Sequence, residues 1–208
     1  MRPNDDTSAE QMRALVDGRQ TALNDLIALW EGPLLRFAYR YVQNEAEARD
    51  LVQETFVRVY LHRERFRPGT SFSTWAFTIA ANLCRNHRRW RGRHPTVSLD
   101  EPADSENETT RQEQLVSSGR SPDYSAQQSE RVAALKVAIA ELPHELRTTL
   151  ILFEYEELTY REIAAIVGCS EKGVESRLLR ARTKLRKQLS ALLSSDRVTT
   201  HALQVQQG

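Results

Sequence analysis

Residues 159–187 read Thr-Tyr-Arg-Glu-Ile-Ala-Ala-Ile-Val-Gly-Cys-Ser-Glu-Lys-Gly-Val-Glu-Ser-Arg-Leu-Leu-Arg-Ala-Arg-Thr-Lys-Leu-Arg-Lys, two helix signals with a turn between them. Thr159 and Glu162 have the spacing of a capping box, in which each side chain serves the other's backbone amide at a helix start. Ile163, Ala164 and Ile166 form the inward side of that helix. Gly168 ends it, because a left-handed C-terminal position favours glycine. Ser170 is placed to cap a second helix that carries Val174, Leu178, Ala181 and Leu185 inward. That choice leaves Lys172, Glu175, Ser176, Leu179, Arg180 and Lys184 on the outer side. A short capped helix, a glycine turn and a basic second helix make the layout of a helix-turn-helix, whose second helix enters the DNA major groove. Lys and Arg attract phosphate and pair with guanine, while Ser176 and Leu179 suit base edges and a thymine methyl. The competing reading is an ordinary basic amphipathic helix in a bundle. The capping box, glycine turn and arginine periodicity together favour the DNA reader.

Upstream of this module, helical periodicity is nearly continuous. Leu23, Leu26, Ile27, Trp30, Leu34, Phe37, Ala38 and Tyr41 recur at helical spacing, with a kink or break expected at Gly32-Pro33. A second helix from about Ala46 buries Leu51, Val52, Phe56, Val59 and Tyr60, and Arg67-Pro68-Gly69-Thr70 signals a turn. A third runs from about Ser71 to Trp90, with Trp75, Ile79 and Leu83 as its core side. Periodicity then stops over residues 96–128, where Ser, Glu, Asn, Thr and Gln dominate and too little apolar surface exists to offset ordering entropy. A short helix at 111–116 is conceivable within that connector. Helices resume near Ser129 with the stripe Val132, Leu135, Ile139 and Leu142, then Leu146, Leu150 and Phe153 after Pro143. No alternating strand pattern occurs. The expectation is an all-α protein of two small helical domains joined by a flexible acidic linker. Its divisions are 1–20 (N-terminal segment and first helix), 21–95, 96–128 (linker), 129–193, and a disordered tail at 194–208.

Charge supports this division. The formal net charge is only +1, so the bulk value names no polyanion partner. Its distribution is uneven: five arginines and no acid lie between Cys84 and His94, and seven Lys or Arg against the single Glu175 lie between Lys172 and Lys187. Residues 96–129 carry seven acids and two arginines. Two basic patches separated by an acidic connector fit two polyanion contacts. Cys84 and Cys169 stand in unrelated contexts and suggest a reducing compartment rather than a disulfide framework. The first ten residues carry no apolar signal core and no run reaches eighteen apolar residues, so a soluble, cytoplasmic protein, not a membrane protein, is expected.

Four blocks carry a family resemblance: Arg36-Phe-Ala-Tyr-Arg-Tyr-Val42; Asp50-Leu-Val-Gln-Glu-Thr-Phe-Val-Arg-Val-Tyr60; Phe72-Ser-Thr-Trp-Ala-Phe-Thr-Ile-Ala-Ala-Asn-Leu83 with its arginine tail; and Leu158-Thr-Tyr-Arg-Glu-Ile-Ala164 followed by Val174-Glu-Ser-Arg-Leu-Leu-Arg-Ala-Arg182. Over residues 23–189 the chain resembles the extracytoplasmic-function (ECF, group 4) RNA polymerase sigma factors of the sigma-70 family. The resemblance implies a region 2 bundle at 21–95 that binds core polymerase and the −10 element, and a region 4 helix-turn-helix at 129–193 that binds the −35 element. It implies that Asp50, Gln53 and Glu54 dock on the beta-prime clamp helices, with the beta flap as a further polymerase contact. These three share one helix face at i, i+3 and i+4. It implies that Thr78, Asn82, Arg85, Arg88 and Arg89 meet the melted −10 element, since an exposed base needs polar groups beside a basic phosphate track. Asn82 is the best base-edge candidate, and the loop from Phe66 to Phe72 helps form the pocket. Phe66, Phe72 and Trp75 themselves read as core. An anti-sigma factor and a role in stress response follow by the same resemblance. Glu175 departs from the basic residue common in the family at that place, where it could accept from cytosine or repel phosphate.

Cys84-x-x-His87 with His94 lacks the paired ligands of a structural zinc site, so no metal site and no cofactor is expected. No phosphate-cradling glycine motif, nucleophilic triad or paired catalytic carboxylates are recognisable, and the chain does not read as an enzyme. Two other functions fit parts of the chain: a stand-alone helix-turn-helix regulator, and a sigma-like interaction protein that sequesters a regulator.

Overall fold

The computed structural model describes residues 3–67, 69–94 and 122–205, with side chains in the last stretch described from 130 to 190. Among these residues there are eight α-helices, one 3-10 turn and no strand, which meets the all-α expectation. An N-terminal unit comprises α1 (Asp5–Val16), α2 (Thr21–Val42), α3 (Glu45–Leu61), a 3-10 turn (Arg63–Arg65) and α4 (Phe72–Arg93). A C-terminal unit comprises α5 (Pro122–Glu141), α6 (His144–Glu154), α7 (Tyr160–Val167) and α8 (Glu171–Val205).

The aromatic stripe of α2 organises the first unit. Trp30, Phe37 and Tyr41 are buried, and Phe72 and Phe77 of α4 close on them. Trp30 lies 5.5 Å from Phe72 and meets Phe77 edge-on at 6.1 Å. Its indole N–H would be costly to bury unpaired; it donates to Ser8 Oγ on α1 at 2.8 Å, and Ser8 in turn donates to the Asn4 carbonyl. Asn44 caps α3 by accepting from the Glu47 amide, and Ser71 caps α4 by accepting from the Thr74 amide. Phe66, Phe72 and Trp75 pack ring against ring at 5.4 to 6.3 Å, so they hold the turn before α4 to the core.

Four expectations are corrected. First, α2 runs without a break through Pro33. The proline removes one amide donor, but Trp30, Leu34 and Phe37 pack on either side and hold the helix together. Second, α5 starts at Pro122, inside the stretch assigned to the linker; proline's fixed φ suits a first helical position. The rest of that connector, and the short helix considered at 111–116, lie outside the described residues. Third, Val132 is exposed rather than inward; Ile139 and Leu142 of the same stripe are buried as expected, Leu135 packs partly buried against the core, and Ala138 is buried beside them. Fourth, residues 194–205 continue α8 rather than forming a disordered tail. They contain neither Gly nor Pro, and extending an established helix costs far less than nucleating one.

The two units pack on each other: α2 meets α6, and α4 meets α7. Arg147 of α6, only 4% exposed, donates from Nη1 to the Tyr41 carbonyl at 2.8 Å and lies 5.0 Å over the Tyr41 ring. The Tyr41 hydroxyl sits 2.7 Å from His144 Nδ1. Arg88 of α4 donates to the Leu142 carbonyl at 2.7 Å, and Glu156 lies about 4 Å from Arg36 and Arg40. Buried and half-buried polar groups thus join the seam's apolar contacts, since one hydrophobic cluster runs through both units.

Gly168, at φ 65, makes the turn between α7 and α8. A Cβ there would meet no described atom within 4 Å, so substitution strains the backbone without a clash. Gly168→Ala should cost about 1 kcal/mol in thermal unfolding, the penalty of a left-handed L-residue. A wild-type melting curve for this variant would refute the assignment.

Candidate nucleic-acid and polymerase interfaces

The C-terminal interface is assembled by local capping. Thr159 and Glu162 form the expected box: the Thr159 amide and hydroxyl donate to Glu162 Oε2 at 2.8 and 2.7 Å, and the Glu162 amide donates back to Thr159 Oγ1 at 3.3 Å. Ser170 Oγ accepts from the Gly173 amide at 3.1 Å and starts α8. A Cβ on Gly173 would stand 3.2 Å from Cys169 Sγ, so a side chain there requires Cys169 to give by a few tenths of an ångström. Val174, Leu178 and Ala181 are buried, as their spacing indicates. Lys172, Glu175, Ser176, Leu179, Arg180 and Lys184 are all exposed, and Leu179 is 68% exposed.

Sequence reasoning did not separate the arginines of α8 by task. Arg182 pairs with Glu154 at 2.7 Å and lies over Phe153, while Arg177 reaches Glu145 at 3.4 Å. Both brace α8 against α6. Arg180 and Lys184 remain on the outer face, beside Ser176 and Leu179.

On α4, Asn82, Arg85 and Arg89 occupy one exposed strip. Thr78 begins it but is half-buried, its hydroxyl donating to the Thr74 carbonyl at 2.7 Å. Arg88 does not join the strip. It turns into the seam to hold the Leu142 carbonyl.

On α3, Asp50 and Gln53 are exposed, and Glu54 is half-buried and paired with Arg58 at 2.7 Å. Leu51 and Phe56 point inward, so the three polar residues do share the outer side. A groove of about 400 Å³ runs beside Gln53, lined by Leu23, Ile27, Val52, Phe56 and Tyr60. Exposed Val57 and Leu61 extend its apolar wall. The groove lies between two helices, which single-helix periodicity cannot reveal.

Two further arrangements were absent from the sequence reading. Asp5 of α1 accepts from the Ser73 amide at 2.9 Å and from the Ser71 and Ser73 hydroxyls at 2.8 Å each, clamping the start of α4. The seam residues Tyr41, His144 and Arg147 make the second. Burial, then Arg85, pushes the His144 imidazole down to about 4, with Arg88 and Arg147 adding to the effect. Burial also pushes the Cys84 thiol up to about 12, so this cysteine is held as an inert thiol of the core. His87 hydrogen-bonds Glu47 at 3.0 Å. No cluster of three metal-ligating side chains occurs among the described residues, and no helix there is long and apolar enough to cross a membrane.

A family model for Sigma-70 region 2 matches residues 26–94, and one for Sigma-70, region 4 matches residues 133–185. These bundles and their order on one chain define a two-module sigma-70 protein. Among curated relatives, the chain is 34% identical over 188 residues to RNA polymerase sigma-H factor of Pseudomonas aeruginosa, covering 88% of this chain and 96% of that protein. It is 31% identical over 183 residues to ECF RNA polymerase sigma factor SigW of Bacillus subtilis, covering 88% and 97%. The chain belongs to the extracytoplasmic-function group of the sigma-70 family.

Its fold is similar to that of CnrH in complex with the cytosolic domain of CnrY, with a TM-score of 0.63 and 26% identity over 91% of this chain and 99% of that one. It is also similar to RpoE of Bartonella quintana in complex with the anti-sigma factor NepR, with a TM-score of 0.59 and 26% identity, covering 80% and 96%.

Proposed function

We propose that this chain binds core RNA polymerase and directs promoter-specific initiation, acting as a dissociable subunit rather than an enzyme. The observation that carries this reading is the presence, on one chain in the family's order, of a polar α3 ridge, a polar-to-basic α4 strip and an exposed helix-turn-helix face. Asp50, Gln53 and Glu54 are the core-binding residues. A carboxylate and amide ridge suits a basic helical partner such as the beta-prime clamp helices. Thr78, Asn82, Arg85 and Arg89 serve the melted −10 element, with Asn82 at a base edge and the arginines on phosphate. Arg88 joins them only when released from the Leu142 carbonyl. Lys172, Ser176, Leu179, Arg180 and Lys184 meet the −35 duplex, and Glu175 accepts from cytosine there. The corresponding divisions are residues 21–95 for core and −10 binding and 129–193 for −35 binding, with α5 extending the second unit back to Pro122. An anti-sigma factor is a further partner, in keeping with the complexes of the structural relatives. The site of action is the cytoplasm.

Run-off transcription with purified core polymerase tests the reading. The wild-type chain should bind core and support initiation from its promoters; failure of both would reject it. Gln53→Ala with Glu54→Ala should abolish core binding and leave −35 duplex affinity unchanged. Arg180→Ala should weaken −35 binding about tenfold and leave core binding intact, the size expected of one lost base or phosphate contact. Tight promoter binding without polymerase, and no initiation with it, would favour a stand-alone regulator.

A further inference from the structure

A cavity of about 350 Å³ opens along the seam between the two units, lined by Tyr41, Glu47, His87, Arg88, Arg91 and Arg147. Its charge is unbalanced: three guanidiniums face one carboxylate. Glu47 is shared between Arg91, at 2.9 Å, and His87, at 3.0 Å. Arg88 spends one N–H on the Leu142 carbonyl. Arg147, 4% exposed, spends Nη1 on the Tyr41 carbonyl and leaves Nε and Nη2 without a hydrogen-bond partner. Buried guanidinium donors are seldom left so, because their lost hydration is not returned. The surroundings register the same excess of positive charge. Burial and then Arg88 push Arg147 down to about 10, and His144 alongside is held near 4 by burial and by Arg85, Arg88 and Arg147.

We propose that this seam cavity is a binding site for a small phosphate-class anion, inorganic phosphate, pyrophosphate or a phosphate ester, held by Arg88 and Arg91 of the N-terminal unit and Arg147 of the C-terminal unit. Arginine suits the task because its planar fork pairs with two phosphate oxygens at once. The anion competes with Glu47 for Arg91, and a shift of the Arg147 side chain turns its unused edge, closed to water in the unliganded form, toward the cavity. Because its ligands come from both units, occupancy holds α6 against α2 and α4. A backbone phosphate of DNA offers the same chemistry, and the cavity opens to solvent chiefly through residues of the N-terminal unit, so the test has to separate the two sources. The site shares only Arg88 with the proposed −10 contact, so its test is made at Arg91 and Glu47, which the promoter reading does not use.

The test is calorimetric titration of the full chain with phosphate and with pyrophosphate, at ionic strength held constant with chloride. Saturable binding is expected, tighter for pyrophosphate. Arg91→Gln should weaken it about tenfold, the effect of one charge-assisted hydrogen bond, and Glu47→Gln should tighten it by removing the competing carboxylate. Both positions lie at the rim, and unliganded melting curves verify that the variants fold. Heat that chloride alone reproduces, or affinities unaltered in both variants, would overturn the proposal. A parallel titration with promoter duplex separates the sources. If the two substitutions alter duplex affinity while neither small anion binds saturably, the cavity belongs to the DNA contact and the small-anion site is rejected. Run-off transcription is scored independently, so loss of one result leaves the other standing.

Discussion

Asp5→Ala should destabilise the N-terminal unit by about 3 kcal/mol, the sum of a lost helix cap and a buried hydroxyl left without its acceptor. One carboxylate serves three donors at the start of α4, the Ser73 amide and the hydroxyls of Ser71 and Ser73. Ser73 is fully buried, so water cannot replace the lost oxygen, and only the 2.6 Å contact between the two hydroxyls offers partial relief. Asp5→Asn keeps one acceptor oxygen and should recover about half of the loss. The functional consequence follows from position. The clamp fixes the first turn of α4 and the loop from Phe66 to Phe72 against α1, and the proposed −10 strip lies on the same helix. Asp5→Ala should therefore reduce discrimination among templates altered at single −10 positions, measured by run-off yield, while −35 duplex affinity stays unchanged. Unaltered melting in Asp5→Ala would refute the clamp; a melting loss with discrimination intact would confine it to stability.

Asp5 also marks where sequence reading stops. Its partners are more than sixty residues away, and nothing in the first ten residues signals a hydrogen bond to a distant serine. The elements themselves were legible because helix periodicity, capping boxes and turn glycines act over three or four residues. Thr159, Glu162, Gly168 and Ser170 fell into their assigned places for that reason. The exposed α8 face followed from the buried one by subtraction. Pairwise choices between helices were not legible. Arg177 and Arg182 look like Arg180 in the sequence, yet they brace α6 because Glu145 and Glu154 stand opposite. Arg88 sits one residue from Arg89 and is drawn inward by a carbonyl from the other unit. Val132 kept the right period but lies on a turn of α5 that the packed neighbours do not cover.

Acid should part the seam before it unfolds either unit, and His144 makes the effect large. In the closed form its pKa is lowered from 6.5 to about 4, first by burial and then by Arg85, with Arg88 and Arg147 adding and Glu145 opposing. Tyr41, whose own pKa is raised mainly by burial, presents its hydroxyl 2.7 Å away and remains protonated throughout. The sign follows from proton counting. Once the seam opens and His144 meets water, it takes up a proton at any pH below about 6.5, which the closed form refuses until about 4. The closed form therefore keeps its full advantage above the open-state value, loses it progressively as pH falls from about 6.5 toward 4, and loses no more from this group below that. Between about pH 7.5 and 5.5 the closed-to-open ratio should drop about tenfold, roughly 1.4 kcal/mol, in a range where carboxylates are still mostly ionised. Small-angle scattering should then report a larger radius of gyration at the lower pH, while the helical circular dichroism signal holds. His144→Gln removes the titrating group and should flatten the response. An equal expansion in that variant would transfer the effect to other groups, and an unchanged radius in the wild-type chain would mean that the other seam contacts, among them Arg147 on Tyr41, Arg88 on Leu142, Glu156 with Arg36 and Arg40, and the shared apolar cluster, outweigh the imidazole.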